Sequence, residues 1–292
     1  MMRPEVLNVT RPTLPPAALV HQGSDASDEL DPTKTLCMQQ PSPTPGRRNI
    51  LVQGASRGIG LEMVRQLAER PDTDNLFASC RNPARSAALT AALSGRTGGV
   101  VPLDLQDEAS IQAAAAHVGA RVEHIDLLMN CAGLLHEGEL QPERRLKDVT
   151  AAHLATSFQI NAFGPVLVAK HFEPLLGNSA RAVVANLSAR VGSIGDNRLG
   201  GWYSYRASKA AQNMLTRTLA IEWSRRARPI ICVALHPGTV ATALSAPFRS
   251  RTPPERVFSV ERAAQQLLDI LDGVTGDDSG RFIAWDGTTI PW

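Results

Sequence analysis

The sequence predicts a single α/β domain: a parallel, doubly wound sheet of about seven strands with helices on both faces. Three observations lead there. Short apolar runs alternate with longer stretches of helical period from residue 49 to the C-terminus. The first apolar run opens directly into a glycine-rich turn, Gly54-Ala55-Ser56-Arg57-Gly58-Ile59-Gly60, which itself opens a helical pattern. The chain has 292 residues, 43% of them hydrophobic, enough to fill one sizeable core.

Taken in order, Asn49-Ile50-Leu51-Val52-Gln53 is a buried strand. After the glycine turn, Met63, Val64 and Leu67 fall on one helix side and Glu62, Arg65, Gln66 and Glu69 largely on the other, until Pro71 ends the helix. Residues 75–79 form strand two, and an alanine-rich helix covers 84–93. Residues 100–103 form strand three, closing at Asp104, and a helix near 108–120 follows. Residues 125–129 are strand four, and one long helix runs over about 150–176. Residues 181–187 are strand five; a helix through Tyr205 reaches about Arg226; residues 230–235 are strand six. A helix over about 260–272 and a strand at 281–284 complete the domain, which occupies residues 48–292.

Residues 1–47 differ. Prolines at 4, 12, 15, 16, 32, 41, 43 and 45 break any element, and Asp25, Asp28, Glu29 and Asp31 cluster, so a disordered tail is expected. It lacks the apolar core of a secretory signal and is too acidic and arginine-poor for an organelle-targeting peptide. A cytoplasmic location is therefore expected, with targeting by the tail left open. Met38 is an alternative start, which leaves open whether residues 1–37 belong to the mature chain.

Thirty basic and 28 acidic residues give a net charge of +2, which argues against nucleic acid or an anionic membrane as the partner. No run reaches the ~18 apolar residues of a membrane span. The four cysteines, Cys37, Cys80, Cys131 and Cys232, form no Cys-x-x-Cys and read as buried thiols in a reducing compartment. The seven histidines are scattered without a ligand pattern, so no metal site is expected. A small molecule is the expected partner.

The glycine turn carries the first chemistry. A strand–turn–helix context lets glycine backbone approach a pyrophosphate closely while the helix N-terminus offers free N–H groups to it. Ser56, Arg57, Gly58, Ile59 and Gly60 would surround the phosphates with Gly54. The second is Tyr205-x-x-x-Lys209, which puts both side chains on one helix face, one turn apart. A nearby ammonium stabilises a phenolate and draws the tyrosine toward the working pH range. Such a pair is common by chance; its place roughly 150 residues beyond a dinucleotide-type turn is what gives it weight.

The spacing G-x-x-x-G-x-G, with Asn130-Cys131-Ala132-Gly133 and Tyr205-x-x-x-Lys209 in that order, resembles the short-chain dehydrogenase/reductase family from about residue 48 onward. Arg57-Gly58-Ile59-Gly60, Cys80-Arg81-Asn82-Pro83, Val191-Gly192-Ser193-Ile194 and the ending from Phe282 to Trp292 are most similar to its C-factor and carbonyl-reductase branch. The resemblance implies a Rossmann-type fold and an oxidoreductase that moves a hydride between a nicotinamide and an aldehyde, ketone or alcohol. It implies Tyr205 as general acid/base, Lys209 as its pKa-lowering partner and ribose ligand, and Asn161 as anchor of a water joining the lysine to solvent. It also implies Asp104 and Leu105 beside the adenine, Ala132 and Gly133 beside the cofactor, and Asn130 in the cofactor site as support of the loop there. Pro237, Gly238, Val240 and Thr242 would form the turn that holds the nicotinamide amide, with Thr239 or Thr242 bonding it.

Cofactor choice follows from the end of strand two. An acidic residue there would favour NAD(H); the position holds Cys80, followed by Arg81, and Arg57 sits in the glycine turn. Two guanidinium groups suit a 2′-phosphate, so NADP(H) is expected over NAD(H). One departure stands out. Aligned on Gly192, the family's carbonyl-polarising serine is Ala189. Ser193, in the loop beyond the strand, is the preferred stand-in and Ser188 the second. Without such a hydroxyl, an NADP-binding regulatory protein with weak catalysis is an alternative, and an epimerase or lyase a third. The lid segment 243–259, rich in Pro, Phe and Arg, admits a carbonyl compound of moderate size. Ala151, Ala152, Ala155, Ala162, Ala169, Ala210 and Ala211 would permit close helix approach in a homodimer, and equally well packing on the sheet.

Overall fold

The computed structural model describes residues 46–292; the segment expected to be disordered, with Cys37 and Met38, lies outside the described residues but for its last two. β1 (Arg48–Gln53) and β2 (Thr73–Cys80) flank α1 (Gly58–Glu69). Next come α2 (Ala87–Ala92), β3 (Thr97–Pro102), α3 (Glu108–Gly119) and β4 (Leu127–Asn130). α4 (Ala151–Phe158) and α5 (Gly164–Asn178) lead to β5 (Ala182–Leu187), α6 (Tyr203–Trp223) and β6 (Ile230–His236). The short strands β7 (Thr239–Val240) and β8 (Val257–Phe258) precede α7 (Val260–Gly273) and β9 (Phe282–Ala284).

Seven strands form one parallel sheet in the order β3-β2-β1-β4-β5-β6-β9. Every strand-to-strand return therefore needs a crossover, and the helices supply it on both faces. Alternation along the strands sorts the core in two. Ile50, Val52, Leu76, Ala78, Val183 and Val233 pack with Met63, Leu67, Leu267 and Leu271 of α1 and α7. Their neighbours Leu51, Phe77, Val184 and Cys232 pack with Ile111, Val118, Phe172 and Trp223 on the other face. The strand order reverses between β1 and β4, and the crevice at their C-terminal ends is where such a sheet binds ligands.

Three local features differ from the sequence reading. β4 begins two residues late, at Leu127, because Asp126 is tied to Asn49: its carboxylate accepts from the Asn49 N–H at 2.8 Å. β3 begins three residues early through Gly98 and Gly99, both at positive φ; a Cβ at Gly98 would stand 2.3 Å from the Leu76 carbonyl oxygen. The expected single helix over 150–176 is interrupted by a π-helical turn, Gln159–Phe163, between α4 and α5.

Candidate active site

A cavity of about 790 Å³ opens along the C-terminal edge of the sheet. Its floor is the glycine turn. Gly54 has φ +79° and a Cβ there would lie 2.5 Å from the Ala132 nitrogen; a Cβ on Gly60 would lie 2.5 Å from the Gly54 carbonyl oxygen. Only glycine lets the turn close against the Cys131–Gly133 segment, leaving the start of α1 facing the cavity. Gln53, buried at the end of β1, accepts from the Ala132 N–H at 3.3 Å and holds the two segments together.

Most residues expected around a dinucleotide line this cavity: Gly54, Ser56, Arg57, Gly58, Ile59, Gly60, Arg81, Asp104, Leu105, Ala132, Gly133, Pro237, Gly238, Val240 and Thr242. Asp104 also forms its own turn, its carboxylate accepting from the Gln106 N–H at 3.0 Å. Asn130 does not itself line the cavity; it lies buried at the base of the Cys131–Gly133 segment, its amide donating to Asn186 Oδ1 at 2.8 Å. Asn186 is its register partner on β5, so the two amides meet inside the sheet.

Tyr205 and Lys209 both line the cavity from α6. Lys209 is 2% exposed; its ammonium donates to the Leu187 carbonyl at 2.8 Å and to Gln212 Oε1 at 2.9 Å, which leaves one donor. Burial lowers its pKa from 10.5 to about 7. Burial also pushes the Tyr205 phenol up. Desolvation is the first cause in both groups. Cys131, beside the lysine, is raised from 9.0 to about 12 by burial, with the lysine charge opposing.

Asn161 sits fully buried in the π-helical turn. Its side chain accepts from the Leu134 N–H at 2.8 Å and donates to the Leu134 carbonyl at 2.8 Å and to Ser208 Oγ at 3.0 Å. Both amide hydrogens are spent, and the side chain ties Leu134 to Ser208 of α6. Ser193 lies outside the cavity lining and its hydroxyl accepts from the Asp196 N–H at 3.0 Å. Ser188 lines the cavity, but its hydroxyl donates to Asn213 Oδ1 at 2.6 Å. Ala189, in extended backbone, lines the cavity and has no hydroxyl to offer.

Glu143 and the role of His236 were not found from sequence, and neither was the backbone geometry of Trp202, a ring that its glycine-flanked loop does offer as a pocket cover. Trp202 is the one non-glycine at positive φ among the described residues, at +51°. Its ring stands 6.3 Å from Tyr205 and 5.0 Å from Phe248 of the lid, and Phe248 meets His136 at 5.7 Å, all edge-on. These rings wall the space beside Tyr205. Glu143, 3% exposed, accepts from the Ser204 N–H at 3.1 Å and from its hydroxyl, while its own carbonyl accepts from the Trp202 N–H. A buried carboxylate thereby caps the helix that carries Tyr205. His236, lowered to about 4 by burial and then by Arg190, accepts from the Arg190 N–H at 3.3 Å and braces the Ala189 segment from β6. A non-glycine φ outlier and a long-range carboxylate cap have no local sequence signature; both depend on how the loop folds back.

The family model described as short chain dehydrogenase matches residues 48–253. The 1-hydroxy-2-glutathionyl-2-methyl-3-butene dehydrogenase of Rhodococcus sp. (strain AD45) is 32% identical over 244 residues, 83% of this chain and 99% of that protein. The C-signal protein of Myxococcus xanthus is 37% identical over 147 residues, 50% of this chain and 83% of that protein. Among solved structures, the NADPH-bound carbonyl reductase from chicken fatty liver superposes with a TM-score of 0.76 at 33% identity, covering 85% of this chain and all of that one (100%).

Proposed function

The chain belongs to the short-chain dehydrogenase family, and from that premise we propose that this oxidoreductase is an NADP(H)-dependent carbonyl reductase with Tyr205 as its general acid. The observation that carries the reading is the placement of Tyr205 and Lys209 on one wall of a cavity whose floor is a glycine cradle. The cradle fits a dinucleotide: it sets positive-φ glycines and the first turn of α1 against the Cys131–Gly133 segment, as a pyrophosphate requires. Arg57 and Arg81 at its β2 end favour a 2′-phosphate, since no carboxylate stands at Cys80. The pairing of Arg81 with Glu137, at 3.6 Å and more than half exposed on both sides, is weak.

When bound, the nicotinamide supplies the hydride. Tyr205 donates its phenolic proton to the carbonyl oxygen as charge builds there. Lys209, whose remaining donor is free for a ribose hydroxyl or the phenolate, stabilises the tyrosine once the proton has left. Trp202 and Phe248 exclude water from that transfer.

The test is NADPH oxidation against a panel of aldehydes, ketones and diketones. Wild-type turnover that Tyr205→Phe abolishes, with NADPH binding intact, is expected; turnover surviving in Tyr205→Phe would sink the assignment. Removing Arg57 and Arg81 together should raise the KM for NADPH about tenfold or more, the worth of one charge-assisted hydrogen bond, and leave that for NADH nearly unchanged. A second reading, a cofactor-binding protein with little turnover, is favoured by one observation: neither Ser188 nor Ser193 turns a free hydroxyl toward the space that Ala189 lines.

A further inference from the structure

A second cavity, of about 460 Å³, adjoins the first and shares a wall with it: Arg190, His236, Gly238 and Thr239. Its other side is cationic over an aromatic floor. The Arg262 guanidinium lies 4.1 Å over the Phe258 ring and 5.8 Å from that of Trp285, and those two rings meet edge-on at 4.6 Å. A guanidinium held over a ring face keeps its N–H groups available to other partners. Arg256 lines the same space. Among the described residues neither Arg256 nor Arg262 enters an ion pair, and Glu255 is the only carboxylate on the lining. Arg190 is engaged by Asp196 at 2.9 Å, a half-exposed pair that a competing anion can share. His236 adds no charge, since burial keeps it neutral above about pH 4.

These arginines are not the phosphate-binding pair. Arg57 and Arg81 follow β1 and β2, whereas Arg190, Arg256, Arg262 and Trp285 gather at the β5, β6 and β9 end of the sheet order. The shared wall does adjoin the reaction space, because Arg190 follows Ala189 directly and Thr239 lies in the Pro237–Thr242 turn. The two cavities are thus neighbours at Arg190 and Thr239.

We propose that the physiological substrate is an oxo acid, its carbonyl in the first cavity and its carboxylate held by Arg256 and Arg262 in the second. This rests on the carbonyl-reductase reading. Planar guanidinium groups match a carboxylate in two parallel hydrogen bonds.

The experiment compares kcat/KM of the NADPH-loaded enzyme for ω-oxo carboxylic acids of increasing chain length with their methyl esters, in wild type, Arg256→Gln, and Arg256→Gln/Arg262→Gln. The expected result is a preference for the acid of about tenfold or more at one chain length, carried by KM. It should shrink as salt is raised and collapse in the double variant while ester turnover stays. Equal turnover of acid and ester, or a preference that survives the double variant, overturns the inference and leaves the reductase reading standing. Turnover of no carbonyl at all overturns both. Arg256→Gln alone changes only an exposed side chain, so its partial loss of preference keeps the test valid if the double variant folds poorly.

Discussion

At the scale of single residues, the site turns on where hydroxyl and ammonium groups spend their hydrogen bonds. Tyr205 and Lys209 were legible because their spacing is a local property of a helix. The fate of Ser188 and Ser193 was not, because it depends on Asn213 across the interface with α6 and on the turn at Asp196. Asn130 was legible as a motif residue but not as a buried one, since its partner Asn186 lies 56 positions away on the neighbouring strand. Ala189 lines the cavity at the position where the family carries a carbonyl-polarising serine. Ala189→Ser should therefore raise kcat on a good substrate by up to a hundredfold or so, the scale on which a single such donor acts, with KM little changed. An unchanged or lower kcat would show that another group already polarises the carbonyl.

At the scale of elements, α6 is unusual in burying a polar face: Ser204, Tyr205, Ser208, Lys209, Gln212, Asn213 and Thr216 all lie inside. Helical period alone finds the helix but cannot orient it, because its inward face is not its apolar face. Bonds run along that face from Lys209 to Gln212, from the Thr216 hydroxyl to the Gln212 carbonyl, and from Asn186 to Thr216. They lock the helix to β5 at the level of the site. Its N-terminus is set by Glu143. Glu143→Ala leaves the Ser204 N–H without its acceptor and should cost about 1–2 kcal/mol, lowering Tm by several degrees and kcat with it. Glu143→Gln keeps an acceptor oxygen and should recover most of both. Equal loss in the two variants would mean that charge, not the cap bond, is what α6 requires. The π-helical turn at Gln159–Phe163 escaped the pattern for a related reason. One extra residue in a helix shifts its faces without changing its composition, and here it delivers Asn161 to Leu134.

At the scale of the whole molecule, strand count, order of elements and the ligand-binding edge followed from alternation and the glycine turn, because parallel strands buried on both faces are short unbroken apolar runs. The two-stranded β7–β8 pair that anchors the lid did not, since two-residue strands carry no period. The buried ionisable groups also mark the stability of the fold. Lys209 falls from 10.5 to about 7 in the folded state, so between those values the unfolded chain holds a proton the folded chain lacks. Stability should then rise with pH from about 7. Cys131 and Cys232 rise from 9.0 to about 12, so above pH 9 the unfolded chain loses protons that the folded chain keeps, and stability should fall. Tm measured by calorimetry should climb between pH 7 and about 9 and then decline, and Lys209→Met should flatten the climb; an identical slope in that variant would contradict the assignment.

The most direct test of the whole account is a single-turnover reaction with NADPH carrying deuterium on the transferring carbon of its nicotinamide, using a carbonyl substrate from the panel and mass analysis of the product. The account predicts an alcohol with one deuterium on its carbinol carbon from wild type, and none from Tyr205→Phe although that variant binds NADPH. Tight NADPH binding by wild type with no deuterated alcohol from any carbonyl would contradict it.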